Sequence, residues 1–302
     1  MSLRLGTRGS PLARWQAGHA AEALRSQYPG MEIDTVVVKT SGDHDQSTPL
    51  DNLPHPGYFT RELETALADG RIDVAIHSLK DMAARVDEPY RVAAVLPRGP
   101  AGDVLVLNAR YSRMNDLPAD AAFLTGSVRR AQQLRTLFPG CTTRPVRGNI
   151  HTRLRKLAAT GADGLVVAAA ALARLEIDGH PTAELPLDKV VPAPGQAAIA
   201  LEVLASRSDL GELLEPLESA VTRRATDMER HLAYLLEGGC SLPLGAHASP
   251  DSEDGDLLFR ASLGTAGDTQ PVYRQLTVGP SVAPSEAAET MAAHFRNVAI
   301  PG

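Results

Sequence analysis

A short strand, a turn that carries arginine, and the start of a helix follow one another three times along this chain. The first turn holds Arg8, the second holds Arg129 and Arg130, and the third holds Arg147 and leads to Arg153. Strands that alternate with helices in this way predict an α/β fold. Guanidinium groups match carboxylates and phosphates in two-point contacts, and a helix N-terminus attracts anions. Three such turns at the same structural position indicate one polyanionic ligand in a cleft; the alternative is three solvated arginines at capped helices.

Length and composition set the class of protein. A chain of 302 residues, 43% hydrophobic and 22% charged, is typical of a globular protein with two or three domains. The net charge of −6 argues against a nucleic-acid partner. The longest apolar run, 165–173, is too short to span a bilayer, and no leader opens the chain, so we expect a cytoplasmic protein without a membrane partner. Two cysteines give no disulfide framework and no thiolate metal cluster, and nothing demands more than a monomer.

The order of the predicted elements divides the chain into three domains. Two similar α/β halves come first, and Pro/Gly-rich segments at 97–102 and 190–196 mark where the chain crosses between them. A long amphipathic helix is followed by three strands and a final helix, which predict a small α+β domain. We therefore expect domain 1 to comprise residues 1–96 plus 198–215, domain 2 residues 101–191, and domain 3 residues 219–302.

Between the long helix and the β-rich tail stands the segment Gly238-Gly239-Cys240. Two glycines permit a tight turn and leave the thiol on an exposed loop. A deprotonated thiol is a strong nucleophile near neutral pH, so Cys240 is a candidate for carrying a covalent group. The alternative is that Cys240 is a small buried apolar residue.

The segment His77-Ser78-Leu79-Lys80-Asp81 follows a buried strand predicted at 72–76. An aspartate beside a lysine at the carboxyl end of a strand is a usual place for acid–base chemistry in an α/β sheet. A surface ion pair that caps the next helix is the alternative. A hydrolase triad of His77, Ser78 and Asp81 is disfavoured, because no Gly-x-Ser-x-Gly elbow is present and neighbouring residues on a strand point apart.

With these motifs in view, the chain resembles the hydroxymethylbilane synthase (porphobilinogen deaminase) family of tetrapyrrole-building enzymes. The resemblance covers nearly the whole length, and six motifs in the same order are specific for the fold. The motifs are Thr7-Arg8-Gly9-Ser10-Pro11-Leu12-Ala13 with Trp15-Gln16, His77 to Asp81, Thr125-Gly126-Ser127-Val128-Arg129-Arg130, Arg147-Gly148-Asn149 with Thr152-Arg153-Leu154, Pro192-Ala193-Pro194-Gly195-Gln196, and Leu236-Glu237-Gly238-Gly239-Cys240.

This resemblance implies a fold and a reaction. The first two domains would resemble type II periplasmic binding proteins hinged around a cleft, with a small third domain that carries Cys240. That cysteine would bind a dipyrromethane cofactor through a thioether, and the cofactor would prime the condensation of porphobilinogen, with release of ammonia, to hydroxymethylbilane for haem biosynthesis. Asp81, with Lys80 beside it, would be catalytic. It would protonate the leaving amine and then stabilise a cationic intermediate, which requires a pKa within reach of both states.

The resemblance also implies binding positions, because acetate and propionate groups need charge-assisted donors, each contributing roughly 1.5–3 kcal/mol. The cofactor would be bound by Cys240, Arg8, Ser10, Ser78, Lys80, Thr125, Ser127, Arg129, Arg130, Arg147 and Gly148. The substrate would be bound by Arg8, Gln16, Phe59, Arg147, Asn149, Arg153, Arg174 and Gln196. No metal is implied.

The polar segment 41–56, expected to form a lid, departs from the family pattern. Family members usually carry lysines ahead of Gly-Leu-Phe, whereas this chain reads Asn52-Leu53-Pro54-His55-Pro56-Gly57-Tyr58-Phe59. Ala83 and the segment Pro100-Ala101-Gly102-Asp103 depart as well. Lost cations weaken the attraction for an anionic chain. Two alternatives therefore stay open: a divergent paralogue that uses another pyrrole or stops at fewer rings, and a non-catalytic protein that binds small anions.

Overall fold

The computed structural model describes residues 2–39, 60–236, 242–252, 254–264 and 270–299. The chain divides into two compact units. Of the described residues, unit 1 takes 2–39, 60–99 and 197–224, and unit 2 takes 100–196 and those from 225 onward. The predicted third domain, 219–302, falls mainly into unit 2, and its independence stays a prediction.

Strands and helices alternate along most of the described chain, as predicted. The strands are β1 (Leu3–Thr7), β2 (Ile33–Val37), β3 (Val74–Ser78), β4 (Tyr90–Val95), β5 (Asp103–Leu107), β6 (Ala122–Leu124), β7 (Thr142–Arg144), β8 (Gly164–Ala168), β9 (Thr182–Glu184), β10 (Ile199–Leu204), β11 (Leu244–Pro250), β12 (Leu257–Leu263) and β13 (Val272–Val278). The helices are α1 (Pro11–Gln27), α2 (Arg61–Ala68), α3 (Val128–Leu137), α4 (Ile150–Thr160), α5 (Ala169–Arg174), α6 (Ser208–Leu214), α7 (Ala220–Leu235) and α8 (Pro284–Ala299). Short 3₁₀ turns cover Leu79–Asp81, Met114–Asp116 and Glu215–Leu217.

Unit 1 is built on a five-stranded sheet in the order β2-β1-β3-β10-β4. β1 runs parallel to β2 and to β3, with Leu5 opposite Val74. β10 runs antiparallel to β3 and to β4, with Ala200 opposite His77. Parallel strands bring their carboxyl ends to one edge of a sheet, so the residues that follow β1 and β3 lie at the same edge.

Unit 2 contains a second five-stranded sheet, in the order β7-β6-β8-β5-β9. β6 runs parallel to β7 and to β8, whereas β5 runs antiparallel to β8 and to β9. The two sheets thus have the same pattern of strand directions: the fourth strand in the order of each sheet, β10 or β5, is antiparallel to both strands beside it. This mixed topology confirms the predicted α/β class with two domains of the type II periplasmic-binding kind. The predicted hinge and cleft between them stay predictions.

The C-terminal part of unit 2 is an antiparallel meander of β11, β12 and β13 with α8 packed against it. Met291 and Phe295 on α8 are completely buried, as are Ala246 on β11 and Phe259 on β12. The three strands and the final helix predicted for this part of the chain are confirmed.

Side-chain caps explain where the helices that follow the arginine-bearing turns begin. Ser10 caps α1 and is followed by Pro11 at the first helical position. Ser127 caps α3, and Asn149 caps α4. In each case the side-chain oxygen accepts a hydrogen bond from a backbone N–H of the first turn, at 3.2, 3.4 and 3.0 Å respectively. These contacts satisfy donors that a helix start leaves without a partner inside the helix.

Several predicted boundaries need correction. β3 covers Val74–Ser78 rather than 72–76, so His77 and Ser78 lie inside the strand and only Leu79–Asp81 forms the turn. The β-branched run that begins at Ile33 predicts a strand that extends to residue 40, but β2 ends at Val37. β9 and α6 were not predicted, and the strand expected before the Arg147 turn, β7, was predicted without bounds. β7 and β9 are edge strands of three residues, too short for an alternating pattern to show.

The larger sheet of unit 2 buries Phe123 of β6 completely. Leu105, Leu134 and Val166 belong to the same apolar cluster, and the Phe138 ring lies 5.0 Å from the Phe123 ring. The cluster therefore fixes β6 against α3, whose first turn carries predicted site residues.

We expect Phe123→Ala to lower the free energy of unfolding by about 3–5 kcal/mol, because the truncation loses buried apolar surface and leaves a cavity. Chemical denaturation measures this loss. Val221→Ala is the control, since Val221 is 56% exposed, and its effect should stay within about 0.5 kcal/mol. Equal losses in the two variants would contradict the assignment of this core.

Candidate functional site

One edge of the unit 1 sheet gathers several of the predicted site residues. Arg8 and Ser10 follow β1, and Lys80 and Asp81 follow β3, which is parallel to β1. Lys80 is exposed, and Asp81 is half-buried on the 3₁₀ turn. A half-buried carboxylate beside an exposed ammonium group is accessible to a bound ligand, as acid–base chemistry requires.

Gln16 and Ser78 are hydrogen-bonded to each other. The side-chain amide of Gln16 donates to Ser78 Oγ at 2.8 Å, and Gln16 is buried on α1. Thr7 Oγ1, at the end of β1, donates to the carbonyl of Ala13 at 2.9 Å. These contacts hold α1 against the carboxyl ends of β1 and β3. The predicted ligand-binding roles of Gln16 and Ser78 stay predictions, and both residues already stabilise this edge.

The neighbouring histidine faces a different partner. His77 Nε2 lies 2.9 Å from Glu202 Oε2 on β10, and both side chains are buried. His77 thus pairs with Glu202 while Ser78 pairs with Gln16. The disfavoured His77, Ser78 and Asp81 triad therefore lacks the histidine–serine contact that it would need.

In unit 2, hydrogen bonds between its own residues stabilise the turn between β6 and α3. Thr125 is buried, and its Oγ1 accepts a hydrogen bond from Ser127 N at 3.2 Å. Ser127 in turn caps α3. The next two residues, Arg129 and Arg130, are buried with 5% and 7% of their surface exposed. Two guanidinium groups at one helix start need a counter-charge, because a buried cation without a partner is costly.

Asp103, the first residue of β5, supplies that counter-charge. Its Oδ2 accepts from Arg129 Nη2 at 2.8 Å and its Oδ1 accepts from Arg130 Nη2 at 2.7 Å. Burial alone would raise the pKa of the Asp103 carboxyl, but the charges and hydrogen bonds of Arg129 and Arg130 outweigh it and hold the pKa well below its usual range. The carboxylate is therefore ionised at physiological pH.

The remaining donors of the two arginines differ. Arg129 Nη1 donates to Gln133 Oε1 at 3.0 Å and to the Val191 carbonyl at 2.7 Å. Arg130 Nη1 donates to the Val166 carbonyl at 3.3 Å. Arg130 Nε is buried, and no group in the described part of the chain accepts a hydrogen bond from it. Arg130 thus keeps one buried donor for a further acceptor.

Gln196 belongs to the same network. Its side-chain amide donates to Asp103 Oδ1 at 2.8 Å and to the Ala101 carbonyl at 2.7 Å, and only 1% of the residue is exposed. The preceding Gly195 donates its N–H to Glu229 Oε2 on α7 at 2.7 Å. Gln196 was predicted to bind substrate; the structure shows it bonded to the protein interior.

The turn before α4 forms another group of predicted residues. Gly148 has a φ of +107°, and a Cβ there would lie 2.7 Å from Thr152 Cγ2, so only glycine fits. Arg153 Nε donates to the Gly148 carbonyl at 2.8 Å. Arg147 is half-buried on one side of Gly148, and Asn149 caps the helix on the other. This turn thus presents a helix N-terminus between two arginines, an arrangement that favours anions.

Arg174 ends α5 and is 9% exposed. Burial lowers the pKa of its guanidinium from the ordinary value, and the group stays protonated because that value lies far above neutral. Phe59, Cys240 and the predicted lid lie outside the described residues. Their roles stay predictions.

Sequence reasoning missed the roles of several buried carboxylates, among them Asp103, Glu202 and Glu229. A signal was present for the first two, because each is an acidic residue in a strand that is otherwise almost entirely apolar, β5 and β10. Such a residue needs a buried partner. Over the described ranges, no three His, Cys, Asp or Glu side chains are grouped so as to hold a metal ion. No helix in those same ranges is both long and apolar enough to cross a membrane.

The two sheets of one topology, with capped helix starts and arginines at the carboxyl ends of parallel strands, define an α/β protein of the type II periplasmic-binding class. The model of the family described as "Porphobilinogen deaminase, dipyromethane cofactor binding domain" matches residues 3–212. The chain belongs to the porphobilinogen deaminase family.

Relatives support the same family over most of the chain. Porphobilinogen deaminase of Xanthomonas campestris pv. campestris is 38% identical over 279 residues, 92% of this chain and 91% of that one. The enzyme of the same name from Syntrophus aciditrophicus is 39% identical over 91% of this chain and 89% of its own. Among solved structures, the periplasmic aliphatic sulphonate binding protein of Escherichia coli aligns with a TM-score of 0.38 and 15% identity over 78% of this chain and 70% of that one, a likeness too low to bear on function.

Family membership confirms the resemblance seen in the sequence. The protein is an enzyme, a porphobilinogen-condensing transferase of porphyrin biosynthesis. The matched model describes the domain that binds the dipyrromethane cofactor, which supports this cofactor here. The covalent link at Cys240 and the roles of individual residues stay predictions.

We expect Asn149→Ala to lower the free energy of unfolding by about 1 kcal/mol, because the side chain caps α4. Asn149→Ser keeps a capping oxygen and should restore most of that stability. Thermal unfolding measures the stability, and the KM for substrate measures binding. If Asn149 also binds substrate through its amide, Asn149→Ser should recover the stability but not the KM. If Asn149→Ser recovers both, Asn149 caps the helix and does not bind substrate.

Proposed function

We propose that this enzyme condenses porphobilinogen units head to tail on a covalent dipyrromethane primer, releases ammonia and gives hydroxymethylbilane for haem biosynthesis. The match of the family model to residues 3–212, with the motif residues of the reaction retained, carries this proposal. Relatives named porphobilinogen deaminase that align over 92% of the chain support the same reaction.

The donors of unit 2 fit a dipyrromethane group with carboxylate side chains. Arg130 Nε is a buried donor without an acceptor in the described chain, at the start of α3, where the helix dipole also favours an anion. We assign Arg130, with Thr125 and Ser127 beside it, to one carboxylate of the cofactor. Arg147 and Gly148, before α4, are assigned to a second carboxylate.

The residues of unit 1 would supply further contacts. Arg8, Ser10 and Lys80 follow parallel strands at one edge of the sheet and are assigned to cofactor carboxylates, with Ser78 beside them. Each charge-assisted contact contributes roughly 1.5–3 kcal/mol, so several together can hold a growing polycarboxylate. Substrate carboxylates would be bound by Arg8, Arg147, Arg153 and Arg174, with Gln16, Asn149 and Phe59 completing the set.

Cys240 would hold the cofactor through a thioether, because a thiolate is a strong nucleophile near neutral pH. When bound, the dipyrromethane supplies the pyrrole carbon on which condensation begins. A non-catalytic anion-binding protein is less well supported, because it would need neither a thiol anchor nor the Lys80-Asp81 pair.

Asp81 would carry a proton to the leaving amine of porphobilinogen and then, as a carboxylate, stabilise the positive charge that develops on the substrate. Its half-buried side chain suits both steps. The side chain is accessible to a ligand, and partial shielding from water strengthens its electrostatic effect on a nearby charge. Lys80, next to it, would add a cation for the substrate carboxylates.

A divergent paralogue is the second candidate, favoured by the segment 52–59, in which prolines stand where the family carries lysines. It would keep the pyrrole chemistry but use another pyrrole or stop at fewer rings. The expected monomeric state and cytoplasmic location stay predictions from the sequence.

Intact mass tests the primer. The purified protein should be heavier than the bare chain by one dipyrromethane, and its mass should grow in steps on incubation with porphobilinogen. Cys240→Ser should keep the bare mass, because the nucleophile is gone. Cys141→Ser is the matched control, since Cys141 is buried in unit 2, and it should keep the adduct. A bare wild-type mass would contradict the proposal, and growth that stops before four rings would favour the paralogue.

Removal of the acid–base group should slow elongation severely. We expect Asp81→Ala to fold and to lower kcat by on the order of 10²–10⁴, the usual contribution of general acid–base catalysis. Porphobilinogen consumption measures the rate, and circular dichroism checks the fold. Asp120→Ala removes an exposed carboxylate and should leave turnover unchanged. Unchanged turnover in Asp81→Ala would remove Asp81 from the mechanism.

A further inference from the structure

Arg129 and Arg130 are adjacent in sequence, but their guanidinium groups have different surroundings. Arg129 donates to Asp103, to Gln133 and to the Val191 carbonyl. Arg130 donates to Asp103 and, at 3.4 Å, to Gln196 Oε1 through Nη2, and to the Val166 carbonyl through Nη1. Its Nε has no acceptor in the described chain. Protein groups thus engage both guanidinium groups, but Arg130 keeps a buried Nε–H for which the described chain offers no acceptor.

Asp103 is the group that the two arginines share. Its side chain has no exposed surface, and each of its oxygens accepts from one guanidinium. Gln196 adds a third hydrogen bond, to Oδ1 at 2.8 Å. A planar guanidinium fork that is held by a fixed carboxylate has little freedom to rotate. Asp103 therefore fixes the orientation of the Arg130 side chain.

We propose that Asp103 and Arg129 are positioning residues for Arg130. Asp103 holds the Arg130 guanidinium so that its Nε–H is left for a ligand carboxylate. Arg129, which the family resemblance assigned to the cofactor, balances the charge of Asp103 and contacts protein instead. The three charges then sum to +1, which matches one carboxylate. This inference rests on the proposed function, in which Arg130 binds a carboxylate of the dipyrromethane cofactor.

Gln196 acts in the same way. Its amide donates to Asp103 and to the Ala101 carbonyl, so it stabilises the orientation of the carboxylate. The turn that carries it is fixed by Glu229 on α7, which is fully buried and accepts from Gly195 N at 2.7 Å. The second oxygen of Glu229 accepts from Ala248 N on β11 at 2.7 Å. The position of Gln196 thus depends on α7 and β11 as well as on its own turn.

A rescue experiment tests the proposal. In Asp103→Asn, the retained oxygen can still accept from Arg130 and Gln196, but an NH₂ group then faces the Arg129 guanidinium, donor against donor. Arg129→Gln offers an acceptor to that NH₂ group. The double variant Asp103→Asn/Arg129→Gln therefore replaces the ion pair with an amide pair and keeps the net charge of +1.

Three readouts follow each variant: the fraction of protein that carries the cofactor by intact mass, kcat and KM for porphobilinogen, and the ¹⁵N–¹H resonance of Arg130 Nε–H, assigned by its loss in Arg130→Gln. We expect each single variant, Asp103→Asn and Arg129→Gln, to lower the loaded fraction and kcat/KM at least tenfold and to shift the Nε–H resonance. The double variant should recover most of both losses. Arg130→Gln should not be rescued by Asp103→Asn.

Two results would overturn the proposal. If the folded double variant is as defective as Arg129→Gln, Arg129 itself contacts the ligand. If Asp103→Asn matches the wild type in all three readouts, Asp103 positions nothing. Should the single variants fail to fold, Gln196→Ala keeps all three charges and removes a donor to Asp103, together with the contacts of Gln196 to the Ala101 carbonyl and to Arg130 Nη2. We expect a severalfold rise in KM and a shifted Nε–H resonance, and no change in either would also overturn the proposal. A wild-type protein without cofactor mass or turnover would instead refute the proposed function, while the Nε–H resonance still decides the positioning.

Discussion

One buried carboxylate, shared by two guanidinium groups, holds together the part of unit 2 on which the predicted site depends. Asp103 has no exposed side-chain surface, and Arg129 and Arg130 lie 2.8 and 2.7 Å from its oxygens. Removal of such ions from water costs several kcal/mol each, and close, fully hydrogen-bonded partners are needed to offset that cost. The start of β5 and the first turn of α3 must therefore stay together, because a shift of either would bury an uncompensated charge.

Both five-stranded sheets place a buried carboxylate on the strand that runs antiparallel to its two neighbours. In unit 1 this residue is Glu202 on β10, 2.9 Å from His77, and in unit 2 it is Asp103 on β5. The partner in each unit adjoins a predicted site: His77 directly precedes Ser78, and Arg129 lies in the first turn of α3. The buried carboxylates and their partners thus help to fix the ends of the strands and helices on which the predicted site residues lie.

The sequence predicted the elements and the family but not these partnerships. Caps at Ser10, Ser127 and Asn149 follow from local chemistry that acts within three residues, so their helix starts were predictable. Arg129 and Gln196 are both hydrogen-bonded to Asp103. Asp103 lies 26 residues before Arg129 and 93 residues before Gln196, and no local sequence pattern encodes a contact at such a separation. The family resemblance assigned Gln196 to the substrate, which stays a prediction; its hydrogen bonds to Asp103 and to the Ala101 carbonyl could not be read from the sequence.

The same network limits where pH dependence can arise. The pKa of Asp103 is depressed in the folded protein, so its contribution to stability is present above the unfolded value of about 3.9 and is lost as the pH falls toward the folded value. Burial lowers the pKa of the Arg129 guanidinium from an ordinary value far above neutral, and the group stays protonated at neutral pH. The charges of Asp103 and Arg129 are therefore constant between about pH 5 and 9. A change of turnover in that range must therefore come from groups other than the Asp103–Arg129 pair.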